Sequence, residues 1–64
     1  MKAGEIYTLK PTSNPKKFPL KIRLVQYLGE DLWQLDVLGP PEAEGRMDFA
    51  VEGVVIFQNY DKVE

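Results

Sequence analysis

Apolar and polar residues alternate with a period of two over much of this chain, the spacing of strands that bury one face. The longest such stretch is residues 20–38, LKIRLVQYLGEDLWQLDVL, where Leu20, Ile22, Leu24 and Leu28 share a face broken only by Gln26. Lys21, Arg23, Val25 and Tyr27 share the other. After Gly29, Glu30 and Asp31 the return run sets Trp33, Leu35 and Val37 on one face and Leu32, Gln34, Asp36 and Leu38 on the opposite one. The pattern predicts a long hairpin that turns at Gly29, with Glu30 and Asp31 as its polar tip and Leu20, Ile22, Leu24, Leu28, Leu35 and Val37 in the core.

Shorter segments flank this hairpin. Residues 5–9, EIYTL, are β-branched and aromatic enough for a first strand, with Ile6 and Thr8 on one face and Tyr7 and Leu9 on the other. Residues 11–19, PTSNPKKFP, hold three prolines and read as a loop that Phe18 pins to the body. Gly39, Pro40 and Pro41 stop the hairpin and open a second loop, with room for one helical turn at 42–44. Residues 46–52 alternate again, Met47, Phe49 and Val51 inward. Gly53 breaks that run, and residues 54–60, VVIFQNY, are expected to make a last strand or a turn followed by a strand. No full helix is expected, and residues 61–64 read as a fraying polar tail. Val54 to Phe57 is apolar at four consecutive positions, one face more than a small core needs, and is a candidate association surface.

Sixty-four residues make one domain, residues 1–64. A chain this short buries only about 60% of its unfolded surface. It has no cysteine, so neither a disulfide nor a thiolate metal site reinforces the core. The opening MKAGEIYTL lacks an apolar signal region and no apolar run approaches membrane-spanning length, so a cytoplasmic protein without a membrane partner is expected. Five short strands in sequence imply an all-β antiparallel meander, and closing it into a barrel removes exposed edges.

The order of first strand, long loop, long central hairpin, fourth strand, short turn and fifth strand resembles the Src-homology-3-like small β-barrel superfamily over nearly the whole chain. Its peptide-binding members carry an aromatic-rich first strand, a tryptophan after the acidic hairpin turn and a late Asn-Tyr pair; here stand Tyr7, Trp33 and Asn59 with Tyr60. This sequence lacks the second tyrosine of the first strand, the second tryptophan and a proline before Asn59. The resemblance therefore implies a five-stranded barrel and not proline-rich peptide recognition, and a fold alone fixes no function.

The chain has no histidine and no cysteine, which removes the usual general base near neutral pH and the usual strong nucleophile. Ser13 lies in a loop with no evident partner. Glu30, Asp31, Asp36 and Asp48 read as solvated acids, and their spacing matches no calcium loop, so no catalytic residue, metal site or cofactor is expected. Net charge is -2, yet the charges divide: residues 1–28 hold six Lys and Arg against Glu5 alone, whereas residues 29–64 are strongly acidic. Opposite halves either pair across strands or make a dipolar surface.

The expected function is a non-enzymatic interaction module that binds a protein partner, or itself as a homo-oligomer, through an aromatic, loop-rich face of Tyr7, Phe18, Trp33 and Tyr60. Trp33 shares the parity of core residues and also neighbours a turn, so core and binding surface both remain open for it. A second expectation is a nucleic-acid-binding barrel using Lys10, Lys16, Lys17, Lys21 and Arg23, with Phe18 stacking on a base. A third is an accessory subunit of an enzyme complex.

Overall fold

The computed structural model describes residues 1–39 and 45–63, the backbone alone for 45–49. The elements follow in the order β1 (Ile6–Leu9), β2 (Lys21–Gly29), β3 (Leu32–Gly39), β4 (Gly45–Glu52), a helix α1 (Gly53–Asn59) and β5 (Tyr60–Lys62), with β2 and β3 forming the central hairpin. All five strands lie in one antiparallel sheet of order β4-β3-β2-β1-β5. The chain is all-β with one short helix among its described residues. Between the described residues of β4 and β5 there is no pairing, so the sheet is open. The expected helical turn at 42–44 lies outside the described residues, as do the expected inward side chains of Met47 and Phe49.

The β2–β3 turn follows from its residues' backbone needs. Gly29 has φ 91°, and Glu30 and Asp31 both have positive φ, 53° and 63°, as a two-residue turn matched to strand twist requires. Leu24 faces Leu35, but Gln26 faces Gln34 and Tyr27 faces Trp33. Val25 is thus an extra residue in β2, a bulge that exchanges the two faces beyond it.

The bulge and the start of β2 each correct part of the expected core. Ile22, Leu24, Leu35 and Val37 are buried, but Leu20 and Leu28 are about half exposed, at 46% and 50%. Leu28 falls after the parity change and at a second register shift, between Tyr27 and Gly29. Leu20 precedes β2, beyond the Ile22–Val37 pair. Beyond the bulge Tyr27 turns to the face of Trp33, their rings 5.0 Å apart, and stays about half exposed.

The inner face gathers Tyr7, Ile22, Leu24, Trp33, Leu35, Ile56 and Tyr60, with Leu9, Phe18 and Val51 packed on its margin. Ile56 comes from α1: residues 53–59 are helical, where the sequence predicts a strand, or a turn followed by a strand, over 54–60. Gly53, Ile56 and Tyr60 are buried while Val54 and Phe57 are exposed, a three-to-four-residue spacing that lets one short element cross the sheet and fill its centre. The β-branched run favours a strand locally, but burial of Ile56 and Tyr60 together overrides that preference. The last strand begins at Tyr60, and Asp61 and Lys62 belong to it instead of fraying.

Candidate interaction surface

Three of the four residues expected to form the aromatic face are core residues. Tyr7 and Tyr60 are buried, and Trp33 is only 7% exposed. Burial raises the Tyr7 hydroxyl above its ordinary pKa, helped by its hydrogen bond to Glu5, and pushes Tyr60 up to about 12. The Tyr60 hydroxyl donates to the Pro19 carbonyl at 2.6 Å, and its ring meets Phe18 edge-on at 6.4 Å. Phe18 pins the proline-rich loop through that contact. Ser13 does have a partner: its hydroxyl donates to Asn59 Oδ1 at 2.9 Å, tying the same loop to the end of α1.

What the surface offers instead is centred on Phe57, 64% exposed, with Val54, Tyr27 and Met1 about half exposed around it. Phe57 and Met1 stand between two grooves. The larger, about 640 Å³, is lined by Trp33, Tyr27, Val54, Phe57 and Asp31. The smaller, about 200 Å³, runs from Phe57 to Tyr7, Lys10 and Tyr60. The sequence signals this surface through the surplus apolar run 54–57, since a helix of that composition buries Ile56 and leaves Val54 and Phe57 without cover.

Asp31 positions it. The helix N-cap residue Glu52 makes no side-chain capping bond. The β2–β3 turn supplies the cap: Gly53 N–H donates to the Asp31 carbonyl at 2.6 Å and Val54 N–H to Asp31 Oδ2 at 3.1 Å. Asp31 N–H in turn donates to the Tyr27 hydroxyl at 3.0 Å. A methyl group on Gly53 would sit 2.5 Å from Asp31 Oδ1, so the absence of a side chain at 53 lets the turn and the helix meet.

The charges are partly paired across strands. Arg23 bridges Asp36 at 3.2 Å and Lys62 bridges Glu5 at 2.9 Å. The Lys62 ammonium, then the Lys2 backbone N–H and the Tyr7 hydroxyl, lower the Glu5 carboxyl to about 2. Of the five expected nucleic-acid contacts, Lys16, Lys17, Lys21 and Arg23 are exposed and Lys10 is half-buried beside the smaller groove. Lys17 sits over the Phe18 ring, 5.6 Å from its centroid. Among the described residues no three His, Cys, Asp or Glu side chains gather into a metal-binding group, and no helix is long and apolar enough to cross a membrane.

Neither a protein-family model, nor a characterised protein, nor a solved structure shows significant similarity to this chain. Its surface chemistry is therefore the ground for a functional reading.

Proposed function

We propose that this chain is a non-enzymatic interaction module that binds a protein partner through the apolar surface around Phe57. The observation that carries this is a phenylalanine left 64% exposed between two grooves in a domain with few large side chains to spare. An exposed apolar ridge of this kind costs solubility and is retained where it is covered by a partner. Aromatic side chains are enriched at protein–protein interfaces, and Phe57 shares the larger groove with Tyr27 and Trp33. The binding face differs in membership from the sequence expectation: Phe57, Val54 and Tyr27 present it, while Tyr7, Trp33 and Tyr60 hold it in place from below.

A Src-homology-3-like barrel is the fold proposed with it. Support comes from the segment order, with a long central hairpin and a fifth strand that returns to pair with the first. Nucleic acid is the weaker partner. Arg23 is held by Asp36, and Phe18 faces Tyr60, so the expected patch loses one free charge and its stacking ring.

The test compares three exposed apolar positions on an immobilised chain. Phe57→Asp and Val54→Asp should lose a protein that the wild type retains, a second copy of this chain included. Leu20→Asp, exposed but lining neither groove, should retain it, and circular dichroism should be alike for all. Retention unchanged by Phe57→Asp overturns the reading.

A further inference from the structure

The helix α1 is about 10 Å long, and its two ends carry opposite charge. Its start meets the hairpin tip, where Glu30, Asp31 and Glu52 are exposed. Its end meets the proline-rich loop: Lys10 N–H donates to the Asn59 carbonyl at 2.8 Å, and Lys16 and Lys17 are exposed on that loop. Asp61 offsets one positive charge there, and Lys62 is taken by Glu5. Lys10, Lys16 and Lys17 still leave that end basic. Between the two ends lie Val54 and Phe57.

Along α1 the surface therefore reads acidic, apolar, basic. We infer that its partner is a second copy of this chain, docked about a two-fold axis beside Phe57. A two-fold rotation reverses the order, so the acidic tip of one copy faces the basic loop of the other, twice, and the two Phe57 ridges meet in the centre. Such a contact is self-complementary. A partner of one sign satisfies one end and opposes the other. The size also fits: a standard interface covers roughly 800 Å² per partner, about a fifth of this molecule's 4402 Å² and so about one side of a body 27 × 23 × 22 Å.

This inference rests on the reading of the Phe57 surface as a docking face, and the experiment separates the two. Sedimentation of the wild type at rising concentration should approach twice the chain mass, and Phe57→Asp should stay monomeric. Glu30→Lys with Glu52→Lys, and separately Lys16→Glu with Lys17→Glu, should each weaken self-association roughly tenfold or more at low salt, with a smaller effect at high salt. An equimolar mixture of those two variants should dimerise again, because both contacts are then between opposite charges. A wild type that stays monomeric overturns the second copy, while Phe57-dependent retention of another protein still upholds the docking face. Dimerisation without recovery in the mixture overturns the two-fold arrangement.

Discussion

Leu24 and Leu28 are four residues apart on one alternating strand and look equivalent in sequence, yet one is fully buried and the other half exposed. Leu24→Ala should cost about 2–5 kcal/mol, a large share of the few kcal/mol a domain of this size holds. Leu28→Ser should stay within about 0.5 kcal/mol. Urea unfolding of both variants checks the bulge directly, since equal losses would mean that the parity does not change at Val25. Such a bulge leaves no mark in a run of apolar residues, which is why alternation found Ile22, Leu24, Leu35 and Val37 and misplaced Leu28, while Leu20 lies before β2, on the far side of a separate register shift between Lys21 and Ile22. Glu5 offers a second test at this scale. Its carboxyl is lowered from 4.5 to about 2 in the fold, so its contribution is complete above pH 4.5 and is lost as pH falls toward 2. Thermal melts should show the wild type losing stability over that interval more steeply than Glu5→Gln. Parallel curves would deny Glu5 this role.

At the scale of elements, the hairpin was legible from period-two spacing and a glycine turn, whereas α1 was not. Val54, Val55, Ile56 and Phe57 are strand formers by local preference, and only the need to bring Ile56 and Tyr60 over one side of the sheet makes a helix the better solution. The cap was hidden for a related reason: Asp31 is 23 residues from Val54, and no local pattern links a hairpin tip to a distant helix start. The pair Asp31 and Gly53 can be probed as a double-mutant cycle. Asp31→Ala should cost about 1 kcal/mol through loss of the cap. Gly53→Ala should destabilise the wild type by displacing the Asp31 carboxylate, and cost less, or stabilise, in the Asp31→Ala background. Strict additivity of the two substitutions would show that the side chains do not meet.

For the whole molecule, charge was the most readable property and its arrangement the least. The sequence divides into a basic and an acidic half, and both expectations for it hold in part: Arg23 with Asp36 and Lys62 with Glu5 pair across strands, while the loop and the tip keep exposed charges at opposite ends of α1. Which residues surround an exposed aromatic depends on the closure of the chain, so the candidate surface was foreshadowed by the run 54–57 and its neighbours Tyr27 and Met1 were not. The Asp31 cap also bears on the order in which this chain folds. A seven-residue helix is too short to persist alone in water, and its start is bonded to a turn that exists only once β2 and β3 have paired. Helix α1, and with it the Phe57 ridge, should therefore assemble late, on a hairpin already closed. Slowing the turn, for example by replacing Gly29, should delay the appearance of the binding surface by the same factor as the sheet, so that the unfolded or half-folded chain has no ridge to offer a partner.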